Sequence, residues 1–316
     1  MNWGKPKVYA VKHKDEIIRA ASRSGGVFTA LSDEILKNGV VYGCILTKDF
    51  QAIHIRAEDT KTRDQMRGSK YIQSRLGDTY RNVKVDLDAG RTVLFSGTSC
   101  QVAGLRRFLG KEYEKLLCVD IVCYGVPSSM VWKKYLLWQE KKNADTVIEA
   151  DFRNKTDFGW HNHVETLTML GGKKVSSSVF STLFNGRNVL RPSCYECTYK
   201  SIMHPGDITI ADYWGIEKAA PGFDDNKGVS LVLINGEKGD KYFEAVKDKL
   251  NWKSTRIEDS MQPALKEVSP RPKEREVFWI DLLDKDFNYI AKKYGGYGLK
   301  NKIKRKLGSI KCKIFR

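Results

Sequence analysis

The sequence predicts an α/β fold with α+β elements: a mixed sheet core of parallel strand–loop–helix units, and a second, more antiparallel layer. Two short apolar runs, Thr92-Val-Leu-Phe95 and Leu116-Leu-Cys-Val-Asp-Ile-Val122, each end in a polar loop that passes into a helical pattern, as neighbouring parallel strands do. From about Val147 the pattern changes to a succession of longer strand candidates. A chain of 316 residues, 41% hydrophobic and 29% charged, can bury a real core in two small domains or one elaborated one.

In chain order, residues 7–11 form a short strand candidate. The loop Arg23-Ser-Gly-Gly26 then feeds a helix over 27–36, whose apolar positions 27, 28, 31 and 35 share one face before Asn38-Gly39 stops it. Residues 40–46 and 52–56 read as a hairpin turning at Lys48-Asp-Phe-Gln51. A polar loop, Asp64-Gln-Met-Arg-Gly-Ser-Lys-Tyr71, precedes a helix from Ser74 to about Leu87. The first apolar run ends at Ser96-Gly-Thr-Ser-Cys100 before a helix over 101–109, and the second ends at Cys123-Tyr-Gly-Val-Pro-Ser128 before a helix over 130–141. Ligands of open α/β sheets gather where parallel strands end, so Cys100 and Cys123 fall on the ligand edge. Cys118, in mid-strand, and Cys44 are expected in the core.

Strand candidates at 147–152, 164–169, 174–180, 207–211 and 229–234 make up the expected second layer, followed by a helix over 238–250. The Pro-rich stretch Ser269-Pro-Arg-Pro-Lys-Glu-Arg275 connects to a helical C-terminus. This divides the chain into an α/β half over 1–145, a mixed β-rich half over 146–268 carrying a C-x-x-C loop, and a helical extension over 269–316.

The net charge of +17 is concentrated at one end. Residues 299–316 hold eight Lys/Arg and no acid, and the other 298 residues carry only +9. In that tail Leu299, Ile303, Leu307, Ile310 and Ile314 recur at helical spacing, which suits a basic amphipathic helix on an anionic membrane surface or a solvated terminal helix. Aromatic residues do not interleave with its lysines until Phe315, so no specific nucleic-acid partner is expected. No run approaches the roughly 18–20 apolar residues of a membrane span, and the opening residues carry no apolar signal segment. A cytoplasmic protein, membrane-peripheral through 299–316, is therefore expected. Seven cysteines without an export signal point to reduced thiols and to metal or redox chemistry.

The densest chemistry lies in Arg191-Pro-Ser-Cys194-Tyr-Glu-Cys197-Thr-Tyr-Lys-Ser201. A C-x-x-C loop seats two thiolates on one metal, and Cys100 and Cys123 complete a four-cysteine site. Spacing leaves an iron–sulfur cluster, a zinc clip or free thiols open. The helix start after Cys100, with Arg191 and Lys200 beside the pair, would stabilise negative charge on sulfur. Ser24, Gly25 and Gly26 before a helix suit a phosphate cradle or an ordinary N-cap loop, and Gly68, Ser69 and Lys70 supply a second polar set. His161 and His163 could donate protons or simply be solvated, and His204 could replace a ligand although four cysteines suffice.

Seven ordered motifs over roughly residues 22–235 carry a resemblance. They are Ser24-Gly-Gly-Val-Phe-Thr-Ala-Leu31, Arg67-Gly-Ser-Lys-Tyr71, Gly97-Thr-Ser-Cys-Gln-Val-Ala-Gly-Leu105, Cys123-Tyr-Gly-Val-Pro-Ser128, Phe152-Arg-Asn-Lys-Thr-Asp-Phe-Gly-Trp160, Cys194-Tyr-Glu-Cys197 and Gly206-Asp-Ile-Thr-Ile-Ala-Asp-Tyr-Trp-Gly215. In this order they resemble the beta subunit family of coenzyme F-420 hydrogenases and dehydrogenases. The resemblance implies an oxidoreductase with a [4Fe-4S] cluster on Cys100, Cys123, Cys194 and Cys197. It implies a flavin, FAD or FMN, held by Ser24, Gly25, Gly26, Gly68, Ser69, Lys70, Gly97 and Thr98, with Asp212 and Trp214 bordering the pocket. Electrons would pass to a deazaflavin-like or other organic small-molecule acceptor. Many members add an N-terminal module with C-x-x-C-x-x-C runs; here no cysteine precedes Cys44, so a separate ferredoxin or another redox subunit is the expected partner. Ser99 stands where the family often has Pro, and Tyr124 where it has an aromatic residue or His, so the hydrogen bonds around the cluster are expected to differ. Bacterial relatives occur in surface-polysaccharide settings, which implies a nucleotide- or lipid-linked sugar as substrate. A non-catalytic electron-transfer subunit docking a ferredoxin or dehydrogenase, and a zinc-stabilised binding protein, are the competing expectations.

Overall fold

The structure, a computed structural model, describes residues 2–298. Among these, eight strands form one sheet in the order β11-β1-β10-β9-β5-β4-β2-β3. The strands are β1 (Asn2–His13), β2 (Gly39–Leu46), β3 (Ala52–Ala57), β4 (Thr92–Thr98), β5 (Leu116–Ile121), β9 (Ile208–Asp212), β10 (Ser230–Gly236) and β11 (Leu250–Thr255), while β6 (Val147–Asp151), β7 (Glu165–Met169) and β8 (Lys174–Ser177) make a separate antiparallel sheet. The central strands β9, β5, β4 and β2 are mutually parallel, with Thr98 opposite Ile121 and Ile121 opposite Ile210. Their C-terminal ends therefore share one edge. β10 and β1 continue the sheet antiparallel on one side, and β3 closes the other as the predicted hairpin.

The sheet is covered on both faces, as its continuous apolar strands require. The helix Val27–Leu36 lays Val27, Ala30, Leu31 and Ile35 against Val41, Leu94, Leu117 and Val232. The helices Thr79–Asp88 and Ser99–Leu109 pack Val83, Leu87, Val102 and Leu105 on the opposite face against Val40, Tyr42, Phe95 and Cys118. The three-stranded sheet shares a separate core with the helices Ser129–Asn143, Val179–Asn185, Arg275–Asp284 and Phe287–Lys293. No helix among the described residues is long and apolar enough to cross a membrane.

The predicted strand–loop–helix units and the more antiparallel second layer are present. Residues 207–211 and 229–234, expected in that layer, instead run inside the main sheet as β9 and β10. They get there by pairing across long sequence distances, β10 with β1 and β9 with β5, which local pattern does not encode. The helix expected over 238–250 stops at Glu244, and β11 follows as an edge strand. The strand expected over 174–180 ends at Ser177 and turns into the helix Val179–Asn185. The basic tail at 299–316 lies outside the described residues.

Candidate functional site

The helix Ser99–Leu109 starts directly after β4. Thr98 caps it reciprocally with Gln101, and this turn presents Cys100 outward, where Thr98 Oγ1 lies 3.2 Å from its sulfur. Cys123 follows β5 at the same edge. Burial pushes its thiol up to about 12, against the nearby Lys200 ammonium, and Cys194 and Cys100 also act on it electrostatically. The 3-10 turn Pro192–Glu196 brings in Cys194, whose thiol is raised by burial while Val126 N–H donates to its sulfur at 3.4 Å. Cys194 in turn feels Cys100 and Cys197, and Lys200 faces Cys123, Cys197 and Cys194. Lys200 Nζ is held in place by the Cys123 carbonyl.

The structure thus brings the four predicted ligands into one corner. Cys118 is fully buried in mid-strand, and Cys44 is half-buried on β2 beside Lys70. Donor spacing tests which metal group would fit. Tetrahedral zinc, with Zn–S near 2.3 Å, needs its sulfurs about 3.8 Å apart. Among the described residues, one His/Cys/Asp/Glu set of three or more has all its donor atoms within 4.8 Å of one another, and it is His161, Glu217 and Asp224. No three of the four cysteine sulfurs come that close. Four thiolates are also the donor set of a cubane, which spreads them over four irons.

The edge beside this corner follows the ends of the parallel strands. Ser96–Thr98, Val122–Val126 and Ile210–Asp212 are half-buried, whereas the preceding residues Val93–Phe95 and Leu117–Asp120 are fully buried. At its far end three motifs meet. Arg153 donates to Asp212 Oδ2 at 2.5 Å, to the Trp160 carbonyl at 2.9 Å and to Tyr71 OH at 3.4 Å. Arg23 donates to the Arg153 and Trp160 carbonyls, each at 2.9 Å, and Trp160 Nε1 donates to Asp212 Oδ1 at 3.0 Å. Trp214 stacks on Trp160 at 4.9 Å, with His163 on it at 5.6 Å and the Arg153 guanidinium at 5.2 Å. Two guanidiniums share one carboxylate there. Burial, reinforced by Arg153 and Arg23, lowers His163 to about 4, so its ring is neutral against the wall of Trp214.

The predicted flavin residues divide among three places. Ser24 Oγ donates to the Val229 carbonyl at 2.7 Å, and Gly25 N–H donates to Ser230 Oγ at 2.9 Å, so this loop is tied to β10. A Cβ on Gly25 would lie 2.0 Å from the Val11 carbonyl oxygen, while Gly26, at φ 92°, caps the helix that follows. Gly68 has open space beside it, and Lys70 Nζ gathers the carbonyls of Gln65, Met66, Arg67 and Gly68. Burial lowers that lysine to about 8. Gly97 and Thr98 lie at the β4 tip beside Cys100. Sequence reasoning missed Arg23, Arg153 and His54 as members of this edge; the Arg residues lay within or beside quoted motifs, but only the fold joins them.

His54 sits opposite Cys44 in the hairpin, its Nε2 at 3.1 Å from the Ser96 carbonyl and its ring stacked on Phe95 at 5.6 Å. Burial lowers it to about 4. Its folded pKa lies below the unfolded value near 6.5, so the unfolded chain binds the proton first, and stability present above pH 6.5 is lost as pH falls toward 4. The full effect is about 3 kcal/mol. Urea melts of wild type and His54→Phe between pH 7 and 4 should show a shallower decline for the variant; parallel curves would remove His54 from the account.

A family model for the C-terminal part of the coenzyme F420 hydrogenase/dehydrogenase beta subunit matches residues 90–260, and one for the N-terminal part of the same protein matches residues 8–79. The fold is similar to a chain of the F420-reducing [NiFe] hydrogenase complex from Methanosarcina barkeri, with a TM-score of 0.55 and 18% identity, covering 92% of this chain and 93% of that one. At that identity the likeness is one of fold. No curated protein sequence matches the chain.

Proposed function

The chain belongs to the coenzyme F420 hydrogenase/dehydrogenase beta subunit family, and from that premise we propose that it is an iron–sulfur flavoprotein oxidoreductase joining a redox protein to a small organic acceptor. Cys100, Cys123, Cys194 and Cys197 would hold a [4Fe-4S] cluster, and the adjoining strand-end edge a flavin, FAD or FMN. The observation that carries the reading is the convergence of four cysteines from three separate loops on the ligand edge of the parallel strands. When bound, the cluster supplies one-electron transfer and the flavin couples electron pairs to hydride chemistry.

The chain's own residues do the rest. Lys200 and the Val126 N–H offset thiolate charge that burial would otherwise oppose. The exposed Cys100 gives a protein donor, a ferredoxin or another redox subunit, its approach to the corner. Held by Asp212, Arg23 and Arg153 would lend positive charge that favours an anionic acceptor beside Trp160 and Trp214 at the far end of this edge. Two electrons delivered singly by a low-potential iron–sulfur donor, with one proton from solvent, make up the hydride equivalent that a deazaflavin-like or other organic acceptor receives. In a surface-polysaccharide setting the acceptor would be a nucleotide- or lipid-linked sugar. The expected cytoplasmic location, with membrane contact through 299–316, belongs to the same proposal.

Anaerobically purified protein assayed for iron, sulfide, zinc and flavin tests this directly. About four irons and four sulfides per chain, with a flavin, are expected; a colourless protein with one zinc would overturn the reading. Lys200→Met gives a finer test. Removing the ammonium that faces three of the sulfurs should weaken metal retention about tenfold, read as faster iron loss to a chelator. An unchanged rate would mean that Lys200 only ties down the Cys123 carbonyl.

A further inference from the structure

Behind Cys100 lies a buried polar network that the electron path just described leaves unused. His204 follows the cysteine loop, and its side chain is 1% exposed. Its Nδ1 lies 2.9 Å from Asp120 Oδ2 and 3.2 Å from Ser99 Oγ. Asp120, wholly buried on β5, is fixed in turn by Thr209 Oγ1, which donates to its other oxygen at 2.6 Å. A carboxylate only accepts hydrogen bonds, so Nδ1 carries a proton. The opposite ring nitrogen, Nε2, is buried with no hydrogen-bond partner among the described residues.

A buried polar atom without a partner is unfavourable and needs an explanation. Its surroundings supply one. Ser99 immediately precedes Cys100, and its Oγ donates at 3.3 Å to the carbonyl of Ile121, two residues before Cys123. His204 is thus anchored behind both strand-end cysteines. A carboxylate on one ring nitrogen, with the other left bare, is how proteins orient histidines toward metal centres.

We propose that His204 is a positioning residue for the redox centre: as an imidazolium balanced by the buried Asp120 carboxylate it carries a proton on both ring nitrogens, and its Nε2–H donates a hydrogen bond to sulfur of the cluster. The proposal rests on the cluster reading above. A hydrogen bond to sulfur favours the more negative reduced state, so it raises the reduction potential. Asp120, through Nδ1, would hold the ring in the orientation that this donation needs.

The test is redox potentiometry of the full chain, with iron and sulfide assayed on each sample. His204→Leu is expected to keep its cluster and shift the midpoint to more negative potential, and His204→Gln, which restores an amide donor, to recover part of that shift. Because His204→Leu leaves Asp120 unpaired and could fail to fold, the wild type carries an independent readout. Electron–nuclear double resonance on the reduced protein should detect an exchangeable proton coupled to the cluster, lost in D2O and absent in His204→Gln or shifted there. Unchanged potentials and no such proton, with iron present, would overturn the role of His204 alone. A strongly coupled nitrogen would also overturn it by making His204 a ligand. Wild-type protein without iron and sulfide would sink both this inference and the reading beneath it.

Discussion

Protein carrying Cys194→Ser is expected to emerge from anaerobic purification without its iron and sulfide. A serine hydroxyl is far harder to deprotonate than a thiol and is a hard donor where soft sulfur is required. Geometry adds to this, because Cys194 stands electrostatically between Cys100 and Cys197 and takes the Val126 N–H on its sulfur. Serine is nearly the same size, and Tyr195 OH still donates to the Arg187 carbonyl at 2.5 Å, so the loop should keep its shape while the metal is lost. Cys44→Ser is the matched control. That thiol lies on β2 beside Lys70 and is not one of the four, so its removal should leave iron content at the wild-type level. Full iron and sulfide in Cys194→Ser, or loss in Cys44→Ser, would mean that the wrong four cysteines have been assigned.

The corner was legible because its signals are local. An apolar run followed by a polar loop and a helical pattern marks a strand end, and two such ends placed Cys100 and Cys123 on one edge, as β4 and β5 do. The far end of that edge was less legible. Asp212 and Trp214 enter through the resemblance alone; Arg23 and the segment from Arg153 to Trp160 lie far from them in the chain, and the pairing of β9 with β5 and of β10 with β1 brings them together. β11 escaped for a different reason. It is an edge strand, and Asn251–Ser254 are all exposed, so it shows no apolar alternation. Glycines were ambiguous in kind. A Ser-Gly-Gly loop that admits a phosphate and one that admits a neighbouring strand look alike in sequence; here the space beside Gly25 is taken by the Val11 carbonyl and by Ser230 N, which a Cβ at this position would meet at 2.7 Å.

Asp212→Ala should be the most damaging single change at that far end. The Asp212 carboxylate is the anion shared by Arg153, whose side chain is 2% exposed, and by Arg23, 11% exposed, at 2.5 and 4.0 Å. It also accepts from Trp160 Nε1. Deleting it leaves two interior guanidiniums facing each other without a counter-charge, and breaking a buried pair in this way typically costs about 3–5 kcal/mol. Asp212→Asn keeps the shape and the acceptor for Trp160 but not the charge, so its loss should be smaller. Urea melts would rank the three proteins, and a loss below about 1 kcal/mol for the alanine variant would show that water already screens the pair. The same cut makes a second measurement informative. With the internal carboxylate gone, a bound anion can take its place, so inorganic phosphate should restore part of the lost stability in Asp212→Ala beyond what chloride achieves at equal ionic strength. Equal recovery in both salts would mean that the guanidiniums relax apart after the cut, and that this end of the edge holds an anion only while Asp212 keeps them aligned.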